Sequence, residues 1–166
     1  GLPQQPYRWR VAMADLRALA GTLGWSDVST VLATGNLIFT SSRGTTTAHA
    51  ATLERALRVE LGLTTRVVVL SADQVATVIR EEPFGSTADN PSRLLAAAYI
   101  DPSARVALAP LAKRKWASGA LALGTHAAYL WCPDGILASP VVKAVARATT
   151  DGLTARNFAT SSNRSR

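Results

Sequence analysis

The sequence is poor in the residues that build covalent and metal frameworks. Its 166 residues include one cysteine and two histidines. A single cysteine excludes a disulfide framework and a multi-cysteine metal site, and two histidines do not favour a conventional zinc site. We therefore expect no metal and no cofactor. The lone thiol, Cys132, is typical of a protein from the reducing cytoplasm.

Long hydrophobic runs are also missing. No stretch approaches the 18 or so continuous apolar residues of a membrane span, and the opening GLPQQPYRWR lacks the basic and apolar regions of a secretory signal. Charged residues make up 17% of the chain and hydrophobic residues 48%, which is too apolar for a disordered chain. These features predict a folded cytoplasmic protein that does not partner with a membrane, as a monomer or a weak homodimer.

The positive charge is unevenly distributed. Residues 1–100 carry nine basic and eight acidic side chains, whereas residues 101–166 carry nine and three. Fifteen arginines against three lysines indicate a compositional bias. The basic second half has two interpretations: a solvated, arginine-biased surface, or a surface that attracts an anionic ligand or nucleic acid.

The apolar patterns predict alternating helices and strands. In the first half we expect helices over residues 12–23, 53–61 and 71–82, and strands at Val28–Ala33, Leu37–Thr40 and Thr65–Leu70. In the second half we expect a strand over Arg93–Ile100, a hairpin around Thr125-His126 and a helix opened by Ser139-Pro140. Tyr7 and Trp9 alternate with cations and are expected to pack on the first half.

This order predicts an α+β fold made of two ferredoxin-like lobes, each a split β-α-β unit with an antiparallel sheet and helices on one face. Residues 83–92, PFGSTADNPS, have the composition of a linker. The predicted organisation is a first lobe over 1–82, a linker over 83–92 and a second lobe over 93–166, which could also form one compact domain.

No strong catalytic motif is present: the phosphate-binding loops, the HExxH zinc motif and the nucleophile elbow are all missing. His49 and His126 are expected to be exposed, and Cys132 to pack in the core. The face shared by Tyr129 and Trp131 is read as core, with an exposed stacking platform as the alternative. The segment Lys113–Trp116 is read as a solvated helix face, with a phosphate contact as the alternative.

Four strings in order resemble the bacterial domain of unknown function 1697 family. They are Met13–Arg17 (MADLR), Thr34–Phe39 (TGNLIF), Pro133–Ile136 (PDGI) and Thr154–Thr160 (TARNFAT). The resemblance implies the two-part α+β fold and no established activity. The sequence departs from the family at its start, where the first strand is missing and Pro3–Pro6 replaces a glycine-rich turn, and at Asn157-Phe158-Ala159, where the second asparagine is lost.

Polar residues of these strings give the candidate ligand-binding set: Asn36, Arg156, Asn157, Asp134 and Arg10. Arg156 follows Thr154 at an expected helix start, where a cation is disfavoured by the helix dipole, and this suggests a carboxylate or phosphate partner. An internal tether of the C-terminal segment is the other interpretation. We expect Asn36 and the Arg156-Asn157 pair to share one site.

Three functions remain open from the sequence. The first is a binding module for an anionic ligand such as a nucleotide or nucleic acid. The second is a small-molecule enzyme with an Asn/Arg/Asp pocket, in which Asp134 or Asp15 acts as a base; catalytic residues are not assigned. The third is a protein-interaction module in which another chain completes an open sheet edge.

Overall fold

The fold is mixed α+β, as predicted, and is described from a computed structural model that covers residues 13–31, 36–149 and 153–157. The chain divides between Val67 and Val68 into two compact units. Each unit contains one small antiparallel sheet among its described residues. The predicted packing of Tyr7 and Trp9 lies outside the described residues.

Among its described residues, the first unit has two helices and a two-stranded sheet. Its elements are α1 (Met13–Thr22), β1 (Ser26–Val31), β2 (Asn36–Thr40) and α2 (Thr46–Leu61). Strand β1 pairs antiparallel with β2, with a bulge between Ser26 and Ser29. Asp27 takes a positive φ of 51° in that bulge, a conformation that aspartate tolerates better than most residues.

The core of the first unit lies between the two helices and the hairpin. Leu16 and Leu19 of α1 and Leu53 and Leu57 of α2 are buried in it. Trp25 joins this core and stacks on Phe39 of β2, with ring centroids 3.9 Å apart. The i, i+3 and i, i+4 spacing of the leucines is what forms these helices against the sheet.

The part of the second unit that the structure describes contains three α-helices and a four-stranded sheet. In chain order its elements are α3 (Ala72–Arg80), β3 (Leu94–Tyr99), α4 (Pro102–Ala112), β4 (Ala120–Leu123), β5 (Ala127–Trp131), α5 (Pro140–Ala148) and β6 (Leu153–Asn157). All strand pairs are antiparallel, and the strands lie in the order β4-β5-β3-β6. The predicted hairpin and the strand at Arg93–Ile100 are thereby confirmed.

Both faces of this sheet are covered. On one face Leu95 and Leu130 pack with Leu108 of α4 and with Val141 and Val145 of α5. On the other face, Ala96 and Tyr129 pack with Val78 of α3. Every residue of β5 is buried. The continuous apolar run of β5 therefore reflects a strand with helices on both sides, not one with a solvent face.

Side-chain caps begin two helices of the second unit. Ser71 and Gln74 form a capping box at the start of α3. Ser139 is buried, and its hydroxyl accepts a hydrogen bond of 3.2 Å from the amide of Val142 at the start of α5. Gly62 ends α2 in the left-handed conformation, as the sequence indicates.

Two local predictions are wrong. The β-branched run Thr65–Leu70 is not a strand; the amide of Val67 donates instead to the carboxylate of Glu54, at 2.8 Å. Thr154 and Arg156 lie in strand β6 and do not begin a helix, because the backbone there pairs with β3. Of the described residues in the first unit, only β1 and β2 form strands, so the structure does not confirm two ferredoxin-like lobes.

The chain divides earlier than the composition suggests. The predicted linker, residues 83–92, belongs to the second unit and contains the 3-10 turn Gly85–Thr87 and the start of a second, Pro91–Arg93. Helix α3 also belongs to the second unit, since Val78 packs in its core. A polar, proline-containing segment therefore serves as an ordered connection within one unit.

We predict that Gly119→Ala destabilises the protein by about 3–5 kcal/mol. Gly119 has a φ of 94°, and a Cβ atom there would overlap the carbonyl oxygen of Trp131 and lie 3.2 Å from the Cγ2 atom of Val141. Gly135→Ala is the matched control, because Gly135 has a φ of 97° and no atom within 4 Å of the added Cβ. The control is expected to lose only about 1–2 kcal/mol from backbone strain. Equal losses of the two variants in urea unfolding would contradict this packing.

Candidate functional site

Two of the predicted ligand residues, Asn36 and Arg10, are not fully described by the structure. Asn36 is the first residue of β2 and pairs with Val31 in the first unit; its side chain lies outside what the structure describes. Arg10 lies outside the described residues altogether. The shared site between Asn36 and the Arg156-Asn157 pair stays a prediction.

Arg156 and Asn157 lie on β6, beside the central strand β3. Arg156 pairs with Ala96 and Asn157 with Leu95. Because Arg156 is in a strand, the helix-dipole argument for an anionic partner at this position no longer holds. The pairing does show that the backbone of this segment is held by a ladder with β3, as the internal-tether interpretation requires.

Asp134 lies in the turn that follows β5. Its side chain is exposed and accepts a short hydrogen bond from the hydroxyl of Ser118. In the same turn, the carbonyl of Pro133 accepts a hydrogen bond from the guanidinium of Arg93. Asp134 therefore helps to join the segment after α4 to the turn, which is a structural role.

The aromatic side chains of the sheet do not form a stacking platform. Tyr129 is 1% exposed and Trp131 is 8% exposed, so the core interpretation is correct. The hydroxyl of Tyr129 donates to the carbonyl of Val78, at 2.6 Å, which satisfies one of the last carbonyls of α3. Trp116 is half-buried against the core, and the guanidinium carbon of Arg114 lies 4.4 Å from its ring centroid.

The histidines and the cysteine have packing roles. His49 is half-buried, and its ring meets Trp25 and Phe39 edge-on at centroid distances of 5.4 Å and 5.6 Å. His126 is also half-buried, so the expected exposure of both histidines is wrong. Cys132 is 1% exposed, and burial raises the pKa of its thiol. A protonated, inaccessible thiol is a poor nucleophile.

The turn between β4 and β5 is held by a carboxylate from α3's end. One oxygen of Glu81 accepts from the Thr125 amide at 2.8 Å and the other from the Thr125 hydroxyl at 2.7 Å. These hydrogen bonds lower the pKa of Glu81, and the one from the Thr125 amide has the largest effect.

A second set of hydrogen bonds holds the same turn. The Gly124 carbonyl accepts from the Tyr99 hydroxyl and from the Arg105 guanidinium, each at 3.2 Å. Burial raises the pKa of Tyr99 to about 12, so its hydroxyl stays protonated at neutral pH.

The strongest chemical feature of the second unit is the charge of its α4 and α5 side. We call this surface the basic layer and define it by six exposed cations of α4, of the segment that follows it and of α5: Arg105, Lys113, Arg114, Lys115, Lys143 and Arg147. Neither helix, nor the segment 113–119, contains an acidic residue. All three lysines of the chain belong to the basic layer.

The helices orient these cations toward solvent. In α5 the buried Val141 and Val145 face the sheet. Lys143 and Arg147 each follow one of these valines by two residues and therefore lie on the opposite side of the helix. Helix α4 packs against α5 and buries Ala104 and Leu108 against the sheet. Lys113, Arg114 and Lys115 follow the end of α4, where cations interact favourably with the helix dipole.

The segment that contains α3 has an acidic excess. Residues 72–92 carry four acidic residues and one arginine: Asp73, Arg80, Glu81, Glu82 and Asp89. Helix α3 packs on the face of the sheet that carries Tyr129, opposite α4 and α5. Glu81 lies beyond the end of α3 and binds the β4–β5 turn, to which Arg105 of the basic layer also donates.

In the part of the chain that the structure describes, no group of three or more histidine, cysteine or carboxylate side chains could hold a metal ion. Across the same residues, no helix has both the length and the apolar character needed to cross a membrane.

The fold and its surface define a two-unit α+β protein whose second unit has a basic layer on one side of a covered sheet. The chain belongs to the family described as protein of unknown function DUF1697, whose model matches residues 8–129. This finding confirms the resemblance seen in the sequence strings. Among curated proteins, none matches this chain.

A solved structure shows the same fold. The conserved bacterial protein SP0830 from Streptococcus pneumoniae is similar with a TM-score of 0.71 and 18% sequence identity, over 98% of this chain and 91% of that chain. At this identity the likeness shows the fold alone. It supports the overall architecture and assigns no activity to this chain.

We predict that Glu81→Gln lowers the thermal unfolding midpoint at neutral pH and has a smaller effect in acid. The folded-state pKa of Glu81 lies below its ordinary value of 4.5. The stabilisation from the ionised group is therefore fully present above that value and is lost as the pH falls through the folded-state pKa. The difference between wild type and variant should shrink as the pH falls below 4.5.

Glu60→Gln, at an exposed carboxylate of α2 in the first unit, is the control for this pH series. It should follow the wild type at both ends of the range. A Glu81→Gln difference that grows in acid would mean that the turn is not held by the ionised carboxylate.

Proposed function

We propose that this protein is a binding module for an anionic partner, and that the basic layer of the second unit is its binding surface. The observation that carries the proposal is the set of six exposed cations on two packed helices and the segment after α4, with no acidic residue among them. On α2, by contrast, side chains of both charges are mixed along one helix.

The cations of the basic layer are largely free to meet a ligand. In the part of the chain that the structure describes, no carboxylate forms an ion pair with Lys113, Lys115, Lys143 or Arg147; the ion pair seen there joins Arg66 to Glu54. Arg105 donates to the Gly124 carbonyl and Arg114 lies over the ring of Trp116; neither of these partners is a carboxylate. Concentrated, uncompensated positive charge raises the local concentration of anions and speeds their association.

The acidic excess of residues 72–92 would help to orient such a partner. It repels an anion, whereas the basic layer attracts one. A compositional bias toward arginine does not account for this arrangement, because all three lysines of the chain also lie in the basic layer.

Several finer features belong to the same proposal. From β3 onward, the elements of the second unit follow the order β-α-β-β-α-β, and the strands of its sheet lie in the order β4-β5-β3-β6. Both orders support a ferredoxin-like lobe there. The buried, reduced thiol of Cys132 supports a cytoplasmic location. We propose no catalytic residue, since Asp134 serves the turn and Asp15 is an exposed residue in the first turn of α1.

We predict that the double variant Lys143→Gln, Arg147→Gln binds inorganic polyphosphate more weakly than wild type. Both side chains are exposed, and glutamine maintains a helix well, so the fold should persist. In calorimetric titrations at several salt concentrations, the slope of log affinity against log salt should lose roughly one unit for each cation removed.

Arg55→Gln, Arg58→Gln is the matched control. It removes the same charge from exposed positions of α2, a helix that also carries Glu54 and Glu60. Its affinity should stay close to that of wild type. An equal loss in both double variants would show that net charge alone attracts the polyanion, and absence of wild-type binding at low salt would refute the proposed function.

A further inference from the structure

We infer that the anionic partner is a nucleic acid double helix, which the basic layer contacts through the phosphate backbone without reading bases. This inference rests on the proposed function and names its ligand class. It follows from the length of the basic layer, from its shape and from the burial of the aromatic side chains beside it.

The basic layer is too long for one phosphate group. Arg105 and Lys113 are eight residues apart along α4 and its end, which corresponds to about 12 Å of helix. Lys143 and Arg147 lie one turn apart on the neighbouring helix, whose axis is about 8–10 Å away in a typical helix pair. Duplex DNA carries about seven phosphates in 12 Å of its axis. The extent and number of cations thus match a segment of duplex better than a mononucleotide.

The shape of the surface favours an extended partner. Arg105, Lys143 and Arg147 are exposed on two helices, and the other three cations are exposed on the segment after α4. The inner sides of the helices are filled by Leu108, Val141 and Val145 against the sheet. A site for a small ligand is concave and encloses most of its ligand. Long cationic side chains on the outside of a helix pair can reach successive phosphates of a rigid backbone.

A single strand is disfavoured because aromatic side chains are not available for stacking. Proteins that bind single strands place bases on exposed aromatic rings. In the described part of the second unit, Tyr129 and Trp131 are buried, and Phe84 and Tyr99 are half-buried. The ring of Trp116 packs on the core and has Arg114 over it.

The sheet itself is closed to nucleic acid. Many ferredoxin-like RNA-binding domains use an open sheet face with exposed aromatics. Here α3 covers that face, and the hydrogen bond from Tyr129 to Val78 joins them. Contact through the helical side leaves the phosphate backbone as the recognised feature, and binding without base contacts is independent of sequence.

The inference is tested by fluorescence polarisation with labelled DNA duplexes of about 20 base pairs, roughly 70 Å long, in two unrelated sequences. The expected result is similar affinity for both duplexes, weaker affinity for either single strand, and a log–log salt slope no steeper than about −5 for six cations. The Lys143→Gln, Arg147→Gln variant should reduce the slope by about 2.

The other probes separate the two proposals. Inorganic polyphosphate, inorganic triphosphate and vesicles of phosphatidylserine and phosphatidylcholine are titrated under the same conditions. Single strands bound as tightly as duplexes, triphosphate competing at equal phosphate concentration, or vesicles bound in preference to DNA would each overturn the duplex inference and leave the anion-binding proposal intact. If no probe binds at about 50 mM salt, both fail.

Discussion

The contact between α3 and the sheet of the second unit is the one on which the rest of that unit depends. Val78 packs with Ala96 and Tyr129, and the Tyr129 hydroxyl donates to the Val78 carbonyl. This hydrogen bond is buried, and leaving such a carbonyl without a donor costs about 1–3 kcal/mol. Glu81, just beyond the helix, fixes its end to the β4–β5 turn. The sheet is therefore held between helices on both sides.

Covering both faces of the sheet limits where function can lie. The large aromatic residues of β5 stabilise the core, and the thiol of Cys132 is buried with them. The basic layer lies outside this core, on the exposed positions of α4 and α5 and of the segment after α4. A surface of this kind suits electrostatic recognition of a polyanion, which gains affinity from many weak contacts in place of one deep pocket.

The sequence predicts much of the fold because its local signals, the caps and turns, agree with the positions of the helices and strands in the folded structure. Ser139-Pro140 begins α5 by capping and by the fixed φ of proline, and Thr125-His126 lies between two short apolar runs that form a hairpin. The covered sheet explains one ambiguity: an apolar run such as Ala127–Trp131 does not reveal whether one face or two faces are buried. Only the position of α3 decides that question.

The errors have physical causes that sequence patterns do not contain. Thr65–Leu70 has the composition of a strand, but the amide of Val67 donates to a side chain, Glu54, instead of a ladder. Thr154–Arg156 resembles a helix start, yet this segment pairs with β3, a partner more than fifty residues away in the chain. The basic layer was missed for a similar reason: α4 and α5 are separated in sequence by the hairpin, and their cations become neighbours only when both helices pack on the same face.

Amide hydrogen exchange with and without a saturating DNA duplex tests the central claim most directly. The account predicts slower exchange in residues 105–116 and 140–148, which contain the cations of the basic layer, and unchanged exchange in β3 and β5, whose amides are already held in the sheet. Protection of α3 instead, or faster exchange in β5 from an opened sheet face, would contradict it, because the duplex would then occupy the side of the sheet that α3 covers.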